Sequence, residues 1–541
     1  MKKYAGLLVG TLILAGCAGE PENTNDPAEN TDAENNVEAA EGNEEGDGER
    51  VEEDYLQIGV QTDPVALDPH GANENVANAI NSSVYDRLVY VDEDLEIVPG
   101  LAEEFEQLDE MTWEFNIREG ITFHDGEELN AEVVQMNFER ILDEDIGSPV
   151  AFIFDMIEEV EVIDDYTVQM TTDVPFAPLP SHLAHPGGGI VSPALIEASY
   201  EEMEEGGSPF NAANTQAAGT GYFQLEDYNS GEYVTFSRNE DYWNGEANVE
   251  GVTFRIIPEP LTRIGELETG GIDISVPVVP SDIGRVEQAD GVNLNEQPSS
   301  MLAYLGFNTD VEPFNDPEVR RAIHMALNKD DIIEGVLNGT GIKADGPIAP
   351  EVFGASENLD ALEYDPEEAE QMLRDAGVEE GFEVSLLTSE SQDSIDAAEL
   401  IQAQLSVLGI DVSIESYEIG TYLEMAGDGD TEMFYGTWGT VTMDADYGLY
   451  GPFHSSNAGP PGNRSFIEND ELDSLLEAGR EAQTEEERLE IYEEAQNLLI
   501  EESPYAFLYY PSSISAVTDD VEGFWQYPSG YYYLKDVELN R

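Results

Sequence analysis

Residues 436–456, GTWGTVTMDADYGLYGPFHSS, concentrate side chains able to hold a small molecule. Trp438, Tyr447 and Tyr450 offer flat amphipathic faces. Asp444 and Asp446 offer carboxylates, and Thr442 a hydroxyl. The glycines let backbone approach a ligand closely. This chemistry is recognition rather than turnover. The chain has no Gly-x-Ser-x-Gly elbow, no His-Glu-x-x-His, no Walker loop and no complete Gly-x-Gly-x-x-Gly. His182 and His185 stand three apart, but Pro180 and Pro186 flank them, which argues against a helical metal pair. Residues 427–433, GDGDTEM, lack the later Gly and Glu spacing of a calcium loop. No cofactor and no resident metal are expected. Counting acids does not dispose of a secreted carboxylate-dependent hydrolase, because the chain has 117 Asp plus Glu.

The elements around this stretch alternate between β and α. TWEFNI alternates like a strand, and Asn130 precedes a helical spacing of Val133, Val134, Asn137, Phe138, Ile141 and Leu142. VEVIDDYTVQMTT reads as a hairpin turning at Asp164-Asp165. YLQIGVQTD, from Tyr55, reads as a strand by its alternation. A helix is predicted from about Pro317, another over YDPEEAEQMLRDAG stopped by Gly377, and a helix pair over residues 472–504. His124, in FHDG, is read as satisfying a turn, and Arg320 and Arg321 as intramolecular ion pairs. The reading is α/β with more than one domain, since residues 55–541 exceed what one core usually serves.

Cys17 is the only cysteine in 541 residues. It can close no intramolecular disulfide. It ends a basic start, Met1-Lys2-Lys3, and a run of about a dozen apolar and small residues, shorter than the roughly 20 that span a bilayer. Leu14-Ala15-Gly16-Cys17 resembles the lipobox of bacterial lipoproteins. That resemblance implies a signal peptide over residues 1–17, cleaved before Cys17, with a lipid on its sulfur. Residues 18–54 hold 15 acids and no aromatic residue, the composition of an extended, disordered tether. The whole chain has 20 Lys plus Arg and a formal charge of −97. Such an excess must form a solvated coat that repels itself and is relieved by salt. Nucleic acid is an unsuitable partner for it.

Seven segments together resemble the large solute-binding proteins of peptide-importing ABC transporters, a family that also includes nickel binders. They are QTDPVALDPHGANENVANAINSSVYDRLVYVD, TFHDGEELNAEVVQMNFERIL, GTGYFQLEDY, NTDVEPFNDPEVRRAIHMALNKDDIIEGVLNGTG, YDPEEAEQMLRDAG, GTWGTVTMDADYGLY and EIYEEAQNLLIEESPYAFLYY. They run in family order over nearly the whole chain beyond residue 55. LAHPGGGIVSPALIE and VEGFWQYPSGYYYLKDVEL look most like the glutathione- and short-peptide-binding members.

The resemblance implies a two-lobed periplasmic-binding-protein-like α/β fold with an extra subdomain in the first lobe. Lobe 1 would take residues 55–305 and 515–541, with the subdomain at about 88–215, and lobe 2 residues 306–514. Hinge crossings would fall near residues 304–308 and 511–514. It further implies an extracytoplasmic, lipid-anchored monomer of the cell envelope. This monomer would take a short peptide, or a glutathione-like one, in the interlobe cleft and hand it to the permease subunits. Capture of nickel or a metal chelate is the alternative within the same class. A peptide is a zwitterion, and Arg464 in GPPGNRSF is the nearest cation for its carboxylate. Trp438, Thr442, Asp444, Asp446, Tyr447, Arg464, Tyr304, Asn308 and Tyr85 are the expected ligand-binding set. Val441 stands where peptide-binding relatives often place an Asp three residues after the Trp.

Overall fold

The computed structural model describes residues 55–378, 382–460 and 462–541. The signal peptide, Cys17 and the acidic tether lie outside the described residues.

Two large sheets organise the chain. The first runs in the order Val292–Gln297, Ser513–Thr518, Ile274–Ser275, Tyr55–Val60, Gly251–Ile256, Tyr233–Arg238, Phe223–Asn229. Its opening strand is parallel to both of its neighbours, and every one of its six residues is buried. The strand expected over YLQIGV is therefore present and is covered on both faces. A central strand covered on both faces has no solvent side, and the one long polar residue, Gln57, turns its amide back to the Tyr55 carbonyl at 3.4 Å.

The second sheet runs Ile342–Lys343, Tyr505–Tyr510, Met301–Phe307, Met433–Gly439, Glu383–Ser389, Asp411–Tyr417. A separate four-stranded antiparallel sheet, Ala102–Asp109, Thr112–Ile117, Thr167–Thr172, Ile157–Asp164, carries its own core around Phe115, Phe138, Phe154 and Phe176. The helix Ala131–Ile141 lies on it; Asn130 caps its start by accepting from the Val133 amide at 3.0 Å. This separate sheet is the extra subdomain of a two-lobed α/β fold.

The chain passes between the large sheets twice, at residues 298–300 and 511–512. The first passage precedes the stretch 304–308. Tyr304 lies in the middle of the strand Met301–Phe307, paired with Gly436 on one side and Phe507 on the other. The helix pair Asp470–Glu481 and Glu485–Glu502 covers the second lobe, and Pro366–Asp375 ends two residues before Gly377, whose φ is +76°. Among the described residues no helix is long and apolar enough to cross a membrane.

Candidate functional site

Strand Met433–Gly439 brings Trp438 to the cleft. It pairs antiparallel with Met301–Phe307, placing Gly436 opposite Tyr304. A Cβ on Gly436 would stand 2.7 Å from the Tyr422 hydroxyl and 3.1 Å from that of Tyr304, so only glycine lets these two phenols converge. After the strand the backbone turns sharply through Met443, held at φ +59°, a conformation that side chains disfavour. Asp444 then caps the helix Ala445–Phe453, accepting from the Asp446 amide at 3.0 Å.

Two hollows meet on Trp438 and Tyr447. One, of about 270 Å³, is lined by Ser389, Tyr422, Thr437, Trp438 and Arg464. The other, of about 540 Å³, lies toward the first lobe and is lined by Phe152, Asp155, Asp173, His182 and Arg480. Together they have the size of a site for a small organic ligand.

Arg464 is nine-tenths buried and forms no ion pair among the described residues. Its Nε lacks a hydrogen-bond partner, as do the Trp438 Nε1 and the Thr442 Oγ1. Burial raises the Tyr304 phenol above its ordinary pKa, and the neighbouring Arg464 guanidinium opposes that rise. Tyr304 is held flat on Tyr505, ring centres 4.0 Å apart. A buried guanidinium without a counter-ion is costly, and an incoming carboxylate relieves that cost.

Asp444 and Asp446 flank the same helix start, yet neither is free. Arg488 Nη2 donates to Asp444 Oδ1 at 2.6 Å. Arg480 grips Asp446 with two bonds, Nε to Oδ1 at 2.7 Å and Nη2 to Oδ2 at 3.1 Å. Burial alone would push the Asp446 carboxyl up; Arg480 and His182 outweigh it and hold the group well below the usual carboxylate range. Arg480 also stacks on Tyr450 at 3.2 Å. Sequence reasoning missed Arg480, Arg488 and His182. The signal was available: arginines are scarce here, and two of them lie on the helix pair that follows Asp444 and Asp446.

These same groups join the lobes. His182 Nε2 lies 3.5 Å from Asp446 Oδ2, and the Ser181 hydroxyl donates to Asp444 Oδ2 at 3.4 Å. The Ala177 amide donates to the Arg480 carbonyl at 3.0 Å, and the Tyr531 hydroxyl to the Val441 carbonyl at 2.8 Å. Tyr447 stands between Trp438 (5.7 Å), Phe152 (6.3 Å) and His182 (6.4 Å). The lobes are thus in contact across the cleft.

Of the nine expected residues, Trp438, Asp446, Tyr447 and Arg464 line these hollows, whereas Tyr304, Thr442, Asp444, Asn308 and Tyr85 do not. The Asn308 amide donates to the Gly429 and Thr431 carbonyls, both at 3.1 Å, and its Oδ1 accepts from the Asp310 amide. Tyr85 is buried in the first-lobe core, where its hydroxyl donates to the Leu67 carbonyl at 2.9 Å. Asp155 and Asp173, not singled out from sequence, line the larger hollow. Burial lifts the Asp155 carboxyl above its ordinary value; Arg480 and His182 pull it back, and Asp173 adds to the rise. Among the described residues no group of three or more His, Cys, Asp or Glu could hold a metal ion.

Comparison with known proteins places this geometry. Residues 96–460 match the family described as bacterial extracellular solute-binding proteins, family 5 Middle. The chain is 29% identical over 491 residues to the glutathione-binding protein GsiB of Salmonella typhi, covering 89% of this chain and 94% of that protein. Among solved structures it resembles DppA of Helicobacter pylori, an ABC transporter-associated periplasmic binding protein in complex with the peptide STSA. That likeness has a TM-score of 0.78 and 29% identity over 90% of this chain and 98% of the other. HbpA2 of Haemophilus parasuis is similar at TM-score 0.78 and 28% identity, with 90% and 99% covered. The matched span, the two-lobed fold and the cleft between the lobes agree: the chain belongs to the bacterial extracellular solute-binding proteins of family 5.

Proposed function

We propose that this protein captures a short peptide, or a glutathione-like one, between its lobes and delivers it to the permease of an ABC importer. It would do so outside the cytoplasm, tethered to the membrane by a lipid on Cys17. The observation that carries the reading is Arg464: a buried guanidinium with no ion pair among the described residues, in a chain with a formal charge of −97, lining the cleft with Trp438, whose Nε1 has no partner. The ligand carboxylate docks on Arg464, where a charge-assisted bond in a closed cleft is strong. Trp438 and Tyr447 stack on the ligand body. With Asp444 and Asp446 held by their own arginines, Asp155 and Asp173 meet the amino group. Relatives named for glutathione and for peptides support this ligand class. The ligand leaves unaltered; lobe closure is the output that the importer reads.

The test is calorimetry of the purified protein with glutathione and with di- to tetrapeptides, with mass spectrometry of what it retains. Stoichiometric binding of an intact ligand is expected, weakened at least about tenfold by Arg464→Gln, as loss of a bond to a charged group predicts. Absence of binding by every peptide and by glutathione, or cleavage of the ligand, refutes the proposal.

A further inference from the structure

The first lobe holds a second cavity, of about 220 Å³, that shares no lining residue with the cleft hollows. Its walls include Tyr90, Tyr222, Tyr242, Trp243, Tyr527 and Tyr533, with Arg87 and Lys535 as its cations. Arg87 is 5% exposed, forms no ion pair among the described residues, and has no partner for Nε or Nη1.

The neighbouring Asp86 carboxylate makes no hydrogen bond or ion pair with it. Asp86 accepts from Trp243 Nε1 at 2.7 Å, the Thr220 hydroxyl at 2.8 Å and the Tyr242 hydroxyl at 3.1 Å, and also from the Tyr90 hydroxyl. Four donors fill the lone-pair sites of one carboxylate. They also turn the polar ends of three wall residues onto Asp86, so the rings meet the cavity with their faces and edges. Two acids, Asp92 and Glu93, also line the cavity; Asp92 Oδ1 accepts from the Asp94 and Glu96 amides. Arg87 gains only ring contacts, with Tyr90 at 4.6 Å and Tyr531 at 5.9 Å.

We propose that this cavity is a second binding site, independent of the cleft, for a small one-ring aromatic carboxylate. The carboxylate accepts from Arg87 Nε and Nη1, which discharges the cost of a buried unpaired cation. The ring lies among the tyrosines and Trp243, in offset or edge contact. Lys535, whose ammonium reaches Asp536 only at 3.5 Å, adds attraction. An aromatic-walled pocket can also bind an organic cation, but here Arg87 already occupies the cationic position and repels another. The volume, below the roughly 300 Å³ at which sites for drug-sized ligands begin, admits one ring.

Calorimetry of the purified protein with phenylacetate, benzyl alcohol, acetate and choline tests this. Phenylacetate should bind at least about tenfold more tightly than the other three, because they lack the charge, the ring or the correct sign. Arg87→Gln should remove that advantage. Should that variant not fold, Asn244→Trp, at an exposed lining residue, should block the cavity instead. Trp438→Ala, in the cleft, should leave phenylacetate binding unchanged. The proposal is overturned by no phenylacetate binding, by tighter binding of choline, by binding that persists in both cavity variants, or by its loss in Trp438→Ala.

Discussion

Replacing Asp446 by Asn keeps its shape and removes its charge. The consequence can be worked from the ion pair it breaks. Asp446 has a side chain only 1% exposed, and Arg480, its bidentate partner, is 19% exposed. Breaking a buried pair on one side leaves the other charge uncompensated and typically costs about 3–5 kcal/mol. Partial exposure of Arg480 puts the expected loss near the low end, about 3 kcal/mol. The folded-state pKa of Asp446 is depressed, so its stabilising contribution is present above the unfolded value, about 3.9, and is lost as pH falls below it toward the folded pKa. The wild-type advantage over Asp446→Asn should therefore be level from pH 5 to 8 and shrink below about pH 4. Urea unfolding followed by tryptophan fluorescence measures it, and Arg480→Gln completes a double-mutant cycle. A loss under about 1 kcal/mol, no coupling in the cycle, or an advantage that grows on acidification would refute the assignment of Asp446 to the Arg480 pair.

Lys329 is buried with its ammonium donating to the Ala344 carbonyl at 2.6 Å, and burial lowers its pKa to about 8. Its charge therefore opposes folding below pH 8 and is relieved between about pH 8 and 10.4. Lys329→Met should raise urea stability at pH 7 by up to about 3 kcal/mol and by less at pH 10. Asn308→Ala should cost about 1–3 kcal/mol, because it strips a donor from two backbone carbonyls, and should leave peptide affinity within about twofold in calorimetry. Trp438→Ala should weaken ligand binding while circular dichroism and the urea midpoint stay close to wild type. Raising NaCl from dilute buffer to about 1 M should increase the melting temperature, since the Debye length falls to about 3 Å and the acidic coat stops repelling itself.

Local pattern made much of the scaffold legible. Asn130 and the apolar spacing after it marked the helix Ala131–Ile141, Asp164-Asp165 marked a hairpin, and Gly377 marked a helix end. Each depends on neighbours within a turn or two, where side-chain period and capping act directly. The same locality marked YLQIGV as a strand, while its two sheet neighbours decide that neither face meets water.

Sequence alone established the scarcity of basic residues and a single cysteine behind an apolar run, and it pointed to an α/β body with a stretch around Trp438 expected to face a ligand. The tertiary structure decided which of the candidate groups are free to meet a ligand. Asp444 and Asp446 are consumed by arginines 44 and 34 residues away, and Asn308 by carbonyls more than a hundred residues away, whereas Arg464 keeps an unpartnered Nε beside Tyr304. The reason is physical. A polar side chain's availability depends on whatever packing delivers to within about 3 Å of it, and burial of distant segments delivers those partners without regard to their separation along the chain.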